Sequence, residues 1–311
     1  MRDTSSVLDA LIVGGGPAGL SAALVLGRCR RRVLVCDGGT YRNAASPAVW
    51  GFLTRDGTPP DELRAIARLE LARYPGVEVR AVEVRAVERL ADGGFAALLA
   101  TGERCRARLL LLATGVVDEL PPLEGIERFY GVSVHHCPYC DGWEERDKPI
   151  AIYGKGHDGA VLALELTGWS RDLAFCTDGP AELAAHDRER LRRLGIAVRE
   201  ERIARLEGTD DGRLERVVFA DGTALPCAAL FFHTGQHHRA DFARQLGCEF
   251  TPEGSVLTSE HESTCVPGVF VAGDASRREQ YAVVAAGEGA LAAMAMNAAL
   301  LKADLAMEER G

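Results

Sequence analysis

The chain has 311 residues and a formal net charge of −9, with 47% hydrophobic and 26% charged residues. This composition is typical of a globular protein with a large core, and the acidic balance argues against nucleic acid as a partner, because phosphate binding needs a basic face. We also expect no membrane-spanning segment, since the longest apolar run, residues 109–113, is far shorter than the roughly 20 residues that a span needs.

The predicted elements form two blocks in which strands and helices alternate. In the first block, strands are predicted at residues 8–13, 31–37, 77–90, 95–99 and 106–113, with helices at 20–26 and 61–74. In the second, strands are predicted at residues 150–153, 172–176, 198–218 (with a turn at 208–212) and 228–233, with helices at 160–166 and 180–194. A last strand at 269–274 precedes a long helix at 281–307. The alternation predicts an α/β fold with two dinucleotide-binding, Rossmann-like units.

A glycine-rich loop follows the first predicted strand. Gly14, Gly16 and Gly19 fit the pattern G-x-G-x-x-G, in which the glycines allow a tight turn, close approach of backbone to a pyrophosphate, and close packing of helix on strand. Asp37 ends the second predicted strand, where a carboxylate can accept hydrogen bonds from ribose hydroxyls. The loop, helix, strand and acid together predict dinucleotide binding.

A second loop of the same kind follows the strand at residues 150–153. Gly154, Gly156 and Gly159 repeat the spacing of the first loop, so a second dinucleotide could dock there at the start of the next helix.

Two cysteines between these loops, Cys137 and Cys140, are spaced for redox chemistry. The pair can cycle between dithiol and disulfide, and Cys-x-x-Cys at a helix start commonly lowers a thiol pKa. The preceding His135-His136 also allows a zinc site to be considered; a structural zinc site usually needs a second ligand pair at a suitable spacing, which the sequence lacks, so we predict no metal.

The other seven cysteines are scattered, and we interpret them as core or free thiols in a reducing cytoplasm. Residues 1–6 carry an acid and lead straight into a strand, so we expect no secretory signal.

The thiol pair needs a base to accept protons from incoming thiols. His136, directly before Cys137, and Asp141, directly after Cys140, are the candidates. The alternative for either residue is a polar group that only orients the loop.

Four motifs occur in order along almost the whole chain: the loop at residues 14–19, Ala-Thr-Gly at 113–115, Cys-Pro-Tyr-Cys-Asp-Gly at 137–142, and Gly-Asp at 273–274 with Gln280 and Gly-Glu-Gly at 287–289. In these motifs the chain resembles the low-molecular-weight thioredoxin reductase family of flavoproteins. The resemblance implies that the first loop binds FAD. The residues implied to contact FAD are Gly14, Gly16, Pro17, Ala18, Gly19, Asp37, Gly38, Asn43, Thr114, Gly115, Gly273, Asp274 and Gln280.

The resemblance also implies the domain organisation. The FAD domain would be discontinuous, at residues 1–117 and 241–311, interrupted at 118–240 by a pyridine-nucleotide-like domain that carries the thiols. Homodimers are usual in this family. Cys140 would lie on the flavin side and Cys137 would face the substrate, with Asp141 matching the family's acid–base aspartate.

One departure from the family concerns the nicotinamide nucleotide. Reductases of this family carry a His-Arg-Arg cluster after the second strand of that domain, where it binds the 2′-phosphate of NADPH. Here residues 176–179 read Cys-Thr-Asp-Gly, and Asp178 would repel that phosphate. The arginines at 188, 190, 192 and 193 fit a solvated helix face. We therefore expect NAD(P) binding to be weak, to favour NADH, or to be absent.

The motif Cys-Pro-Tyr-Cys, with His135-His136 before it and Gly-Trp-Glu after it, resembles a narrower branch of flavin-dependent dithiol oxidases of the gliotoxin, holomycin and romidepsin type. This implies an enzyme that closes a disulfide in a small-molecule dithiol and passes electrons through FAD to oxygen or NAD(P)+. The alternative is an NAD(P)H-dependent disulfide reductase that runs the same relay in reverse. A non-catalytic flavin-binding sensor is a third class, against which the intact thiol pair argues.

Overall fold

A computed structural model of the chain describes residues 7–277 and 279–309. Its first elements are β1 (Leu8–Val13), α1 (Pro17–Arg28), β2 (Val33–Cys36), α2 (Pro60–Leu71), β3 (Val77–Arg80), β4 (Val84–Arg89), β5 (Phe95–Leu99), β6 (Arg104–Leu112), β7 (Val116–Asp118), α3 (Ile126–Phe129), β8 (Val134–His135) and α4 (Pro138–Asp141). The chain continues with β9 (Ile150–Tyr153), α5 (Gly156–Leu166), β10 (Leu173–Cys176), α6 (Ala185–Arg193), β11 (Ala197–Arg199), β12 (Ile203–Gly208), β13 (Leu214–Phe219), β14 (Ala224–Pro226), β15 (Ala229–Phe232), β16 (Gln236–His238), α7 (Asp241–Leu246), β17 (Val269–Val271) and α8 (Ala282–Glu308).

These elements form two compact units. The first contains the described parts of residues 1–42, 52–117 and 237–311, and the second contains residues 43–51 and 118–236. The first unit is therefore discontinuous in sequence. The short segment 43–51 groups with the second unit, although it lies within the first stretch of the chain.

The first unit is built on a sheet with the strand order β3-β2-β1-β6-β5-β4, and β17 also pairs with β6. Alternate residues of β1 serve opposite faces. Ala10 and Ile12 lie in a core with α1 and α8, whereas Leu11 and Val13 lie in a second core with β4, β5 and α7. Because both faces are covered, β1 and β2 are apolar throughout most of their length, as expected for parallel strands.

The second unit contains a parallel five-stranded sheet, β11-β10-β9-β15-β8, and an antiparallel sheet, β12-β13-β14. Ile150 and Ile152 of β9 pack in a core with α5, while Ala151 and Tyr153 lie in another core with β13. β8 pairs with the edge of the parallel sheet at β15, so that the residues after His135 leave the sheet at its carboxyl end.

Most predicted elements are confirmed, with two corrections. The strand predicted at residues 77–90 is two strands: β3 pairs in parallel with β2, and only β4 forms the hairpin with β5. The helix predicted at residues 180–194 begins only at Ala185, because residues 180–184 are irregular and Glu182 has a positive φ of 53°.

Helix α8 is long and apolar enough to cross a membrane by length and composition, although no continuous apolar run in its sequence indicates this. Core helices can meet the same criterion, and 39% of its most apolar window is buried within the protein. Ala285, Ala292 and Met296 belong to the core that α8 shares with α1. The expectation about a secretory signal concerns residues 1–6, which lie outside the described residues.

Candidate active site

Cys137 and Cys140 are joined by a disulfide, with their Cα atoms 5.3 Å apart. Cys137 lies two residues after the end of β8 and is the N-cap of the short helix α4. This helix begins with Pro138 and Tyr139. The backbone N–H of Cys140 donates a hydrogen bond to Sγ of Cys137 at 3.2 Å. The same N–H would be available to a Cys137 thiolate once the disulfide is opened, because a hydrogen bond to sulfur favours its charged form.

The glycine that ends the Cys-x-x-Cys-Asp-Gly motif is required by space. A Cβ on Gly142 would lie 2.5 Å from the carbonyl oxygen of Pro138 and 2.9 Å from the ring of Trp169. The ring of Tyr139 meets that of Trp169 edge-on, with centroids 5.6 Å apart. Trp169 therefore packs against the thiol loop at Tyr139 and Gly142. The Tyr139 residue is nevertheless 67% exposed.

The side chain of Asp141, which directly follows Cys140 in the chain, is largely buried, with 14% of its surface exposed. Its pKa is raised to about 7, first by burial and then by the nearby charges of Glu144 and Glu145. Its Oδ2 lies 3.5 Å from Nδ1 of His135. Burial lowers the pKa of His135 to about 3, with smaller contributions from His136 and Lys148, so the imidazole is neutral near pH 7 and this contact is not an ion pair.

His136 has a different environment from its neighbour. Its Nδ1 lies 3.7 Å from Oδ2 of Asp118, and its side chain is 29% exposed. The hydroxyl of Tyr130 donates to the same Oδ2 at 2.6 Å. Two acid–histidine contacts thus involve residues on or next to the thiol loop, one largely buried and one partly exposed. Asp141 and His136 were predicted as bases from the sequence, whereas their partners His135 and Asp118 were not assigned to them.

The first glycine loop has the shape of a pyrophosphate cradle. Gly14 has φ +118°, and a Cβ there would lie 2.1 Å from the carbonyl oxygen of Ala113. A Cβ on Gly19 would lie 2.0 Å from the carbonyl oxygen of Gly14. Gly16, the N-cap of α1, has open space on its side. Pro17 and Ala18 follow as the first helical residues. The open side at a helix start fits a dinucleotide pyrophosphate.

Asp37 lies at the end of β2, against this loop. A Cβ on Gly15 would overlap its carboxyl group, at 2.2 Å. The hydroxyl of Tyr41 donates to Oδ2 at 2.6 Å, and Arg68 also donates to Oδ2. Gly38 follows directly, and the N–H of Gly39 donates to Oδ1. The carboxylate is thus held at the end of β2, against the first glycine loop.

The later flavin-motif residues come together in the same unit. Arg42 donates to Oδ2 of Asp274 at 3.0 Å and to Oε1 of Gln280 at 2.6 Å. Oε2 of Glu288 accepts from the N–H of Gly273 at 2.8 Å, so α8 is tied to the Gly-Asp turn. Sequence analysis did not single out Arg42, because an isolated arginine gives no signal until its two acceptors are located.

The remaining residues proposed for FAD occupy two places. Oγ1 of Thr114 donates to the carbonyl of Arg239 at 2.6 Å, and Gly115 adopts φ +67°. Both lie in the first unit, directly after β6. Asn43 lies in the segment 43–51, which groups with the second unit.

The second glycine loop is similarly tight. A Cβ on Gly154 would lie 3.0 Å from Cα of Gly159, and a Cβ on Gly159 would lie 2.7 Å from the ring of Phe175. Gly156 has φ +58°. Packing and backbone conformation thus explain all three glycines. A nucleotide site needs this tight geometry, but the geometry alone does not show that a nucleotide binds.

The turn after β10 brings together one negative and one positive side chain, Asp178 and Arg202. Asp178 accepts a hydrogen bond from the N–H of Ile203 at 2.7 Å. Arg202 donates to the Asp178 carbonyl at 2.9 Å and lies 3.5 Å from its Oδ2. Residues 176–179 contain no arginine, but the guanidinium of Arg202 reaches this turn from the residues before β12. Its charge is compensated by Asp178.

The arginines of α6 lie on an exposed helix face, as predicted. Arg188 pairs with Glu200 at 3.1 Å, and Arg192 and Arg193 both pair with Glu189.

Comparison with known proteins gives a consistent result. The family model described as pyridine nucleotide-disulphide oxidoreductase matches residues 8–289. Thioredoxin reductase aclD of Aspergillus oryzae is 33% identical over 298 residues, covering 93% of this chain and 95% of that protein. Thioredoxin reductase sirT of Leptosphaeria maculans is 31% identical, covering 100% and 99%. The crystal structure of HlmI has a TM-score of 0.94 at 36% identity, covering 98% of this chain and 96% of that one.

Proposed function

Since this chain belongs to the pyridine nucleotide-disulphide oxidoreductase family, we propose that its Cys137–Cys140 disulfide oxidises a small-molecule dithiol, such as a natural-product precursor, to an intramolecular disulfide. The coarser activity follows from the family and its relatives: the protein is a thioredoxin reductase-like, flavin-dependent thiol–disulfide oxidoreductase with FAD as its cofactor. Family membership also implies a nicotinamide nucleotide.

The direction of the reaction is the finer part of the proposal. The observation that carries it is the state of the second nucleotide loop, where the carboxylate of Asp178 stands at the turn after β10 and compensates Arg202. An anionic 2′-phosphate at this turn would meet the carboxylate of Asp178, and the nearby guanidinium of Arg202 is already engaged by that residue. This arrangement supports electron flow from thiol to flavin, and not from NADPH to disulfide.

The thiol exchange needs only the cysteine pair. A substrate thiolate attacks Sγ of Cys137, the bond to Cys140 breaks, and Cys140 leaves as a thiolate. The second substrate thiolate attacks the substrate sulfur of this mixed disulfide, closes the product ring and releases Cys137. The hydrogen bond from the Cys140 N–H to Sγ of Cys137 supports this second step. Two electrons have then moved from substrate to protein.

Two groups on the loop can take the substrate protons. Asp141, with a pKa of about 7, exchanges a proton near neutral pH, where general acid–base catalysis is most effective. His136 follows the end of β8, is partly exposed, and is oriented by Asp118. We assign the first deprotonation to His136 and the proton exchange beside Cys140 to Asp141.

We propose that FAD binds to the first unit. The pyrophosphate would lie on the loop Gly14, Gly16, Pro17, Ala18 and Gly19, with ribose on Asp37. FAD, when bound, supplies the two-electron acceptor that returns the cysteine pair to the disulfide. The final acceptor is oxygen or NAD(P)+.

The runner-up is a disulfide reductase that uses NAD(P)H. The intact spacing and tight geometry of Gly154, Gly156 and Gly159 favour it, and they make NADH the nucleotide to test first.

The remaining parts of the proposal concern partners and compartment. We propose a homodimer, because α8 leaves apolar side chains exposed. We place the protein in the cytoplasm, because seven of the nine cysteines are free thiols, a state that a reducing compartment maintains.

Anaerobic stopped-flow absorbance of the flavin-loaded protein tests the direction. Mixed separately with a small dithiol, NADH and NADPH, the flavin should bleach fast with the dithiol and slowly with both nucleotides, then recover when air is admitted. Cys137→Ser should retain FAD but lose bleaching by the dithiol. Fast bleaching by a nucleotide, with sluggish recovery in air, would establish the reductase instead.

A further inference from the structure

Three side chains of the second unit, His157, His186 and Asp187, each place one possible ligand atom within 4.8 Å of those of the other two. His157 is the second residue of α5, while His186 and Asp187 are the second and third residues of α6. None of the three takes part in the thiol chemistry described above. We propose that these residues, called here the His157 cluster, bind a divalent transition-metal ion of the Zn²⁺ class.

The distances suit such an ion. Nδ1 of His157 lies 3.0 Å from Oδ2 of Asp187, and Nε2 of His186 lies 3.3 Å from its Oδ1. Nitrogen and oxygen ligands at about 2.0–2.1 Å from a tetrahedral zinc ion are themselves about 3.3–3.4 Å apart. The distances from His157 and His186 run to the two different oxygens of Asp187, and one donor from each residue lies within 4.8 Å of the others, so side-chain rotations would bring all three donors onto one ion. Imidazole and carboxylate together favour zinc, cobalt, nickel or copper over magnesium or calcium.

The buried carboxylate is the second reason to expect a ligand. The side chain of Asp187 has no exposed surface. Within the described part of the chain, its Oδ1 accepts no hydrogen bond, although His186 lies beside it. A buried carboxylate oxygen without a donor is costly, and a cation between Oδ1 and the two imidazoles would remove that cost.

The opposite side of the cluster is open to water. The side chains of His157 and His186 are 63% and 68% exposed, so an ion can enter without unfolding. The remaining coordination position would be taken by water, as in other three-ligand sites. Bound there, the ion would link the first turns of α5 and α6, next to the glycine loop at residues 154–159.

Thiols are the main competing ligands. Cys29 and Cys265 are exposed, and the reduced Cys137–Cys140 pair could also bind zinc. Titration of the disulfide form with Co²⁺ distinguishes these sites, because cobalt bound to thiolates gives an intense near-ultraviolet charge-transfer band, whereas nitrogen and oxygen ligands give only weak visible bands.

The test is this Co²⁺ titration, with Zn²⁺ competition, on the full chain without reductant. We expect one ion per chain with nitrogen–oxygen type bands, displaced by Zn²⁺. His157→Gln and His186→Gln should each weaken binding more than about tenfold, since even outer partners of a metal site contribute that much. His261→Gln, an exposed histidine on the first unit, is the matched control and should bind as the wild type does.

The proposal is overturned by any of three results: equal affinity in wild type and His157→Gln, a thiolate spectrum alone, or binding only at millimolar cobalt. Circular dichroism identifies a misfolded variant, and the second histidine variant then decides. None of these readouts depends on enzymatic activity or on its direction.

Discussion

At the scale of single residues, burial assigns different chemistry to neighbours on the thiol loop. Burial favours the neutral form of both Asp141 and His135, so the pKa of the acid rises to about 7 and that of the histidine falls to about 3. Near neutral pH the imidazole of His135 is therefore neutral, and Asp141 is the member of this pair that gains and loses a proton. His135 is held in β8 opposite Phe231, whereas His136 lies beyond the strand and is partly exposed.

The substitution Asp141→Asn should remove the loss of folding stability that the wild type suffers when the buried carboxyl group of Asp141 has to ionise. An unfolded aspartate ionises near pH 4, whereas the folded Asp141 keeps its proton until about pH 7. The unfolded state thus binds fewer protons between these values, and wild-type stability falls as pH rises from about 4 to about 7. Asparagine has no proton to lose. The free energy of unfolding of the variant, relative to the wild type, should rise by about 2–4 kcal/mol across this window.

Thermal and urea unfolding at pH 4.5, 6 and 8 measure this difference. Asp241→Asn, at a side chain that is 97% exposed, is the control and should show no such trend. In turnover, Asp141→Asn should lower dithiol oxidation about 10²-fold or more, as expected for loss of a general acid–base group. A variant whose relative stability is constant with pH would show that Asp141 is ionised in the folded protein.

At the scale of elements, the contact between α1 and α8 determines where the first glycine loop sits. A Cβ on Gly289 would lie 2.0 Å from the carbonyl oxygen of Ala18, whereas Gly287, two residues earlier on the same helix, has nothing within 4 Å. The close approach of the two helices therefore requires glycine at position 289, but not at position 287. The Gly-Glu-Gly stretch therefore combines one glycine needed for packing with one that packing does not need.

Alanine substitutions at these two glycines should have opposite effects. Gly287→Ala should stabilise the protein by up to about 1 kcal/mol, because alanine is the better residue in a helix interior. Gly289→Ala should destabilise it by about 1–3 kcal/mol and lower the FAD content, because Ala18 is in the first turn of α1, next to the proposed pyrophosphate loop. Chemical denaturation and the ratio of flavin to protein absorbance measure both effects. Similar behaviour of the two variants would contradict the packing argument.

At the scale of the whole molecule, the outer face of α8 exposes several large apolar side chains. Leu291, Met294, Leu301 and Leu305 are 41–58% exposed. Their spacing of three, seven and four residues places them on one stripe of the helix. An exposed apolar stripe of this kind is expected to be covered by another surface.

The proposed homodimer predicts that charges on this stripe will dissociate it. Wild-type protein should have twice the chain mass in size-exclusion chromatography with light scattering, and Met294→Glu with Leu301→Glu should give the monomer. Leu69→Glu, at a residue of α2 that is 73% exposed, should leave the dimer intact. A wild-type monomer would refute the dimer directly.

The sequence alone determined the α/β class, the two glycine loops, most element positions and the thiol pair, because each of these depends on residues that are neighbours in the chain. The glycines are needed for local turns, the strands show their apolar character, and a Cys-x-x-Cys pair is close in any helix start.

Only the tertiary structure decided which distant groups meet. It placed Arg202 at the turn of Asp178, Arg42 between Asp274 and Gln280, and joined His157 to Asp187 across two helices. It also buried His135 while leaving His136 accessible. Burial and long-range contacts set charge and pKa, and no spacing along the chain specifies them. The sequence could therefore name His136 and Asp141 as candidate bases, but not the burial and the partners that distinguish the two.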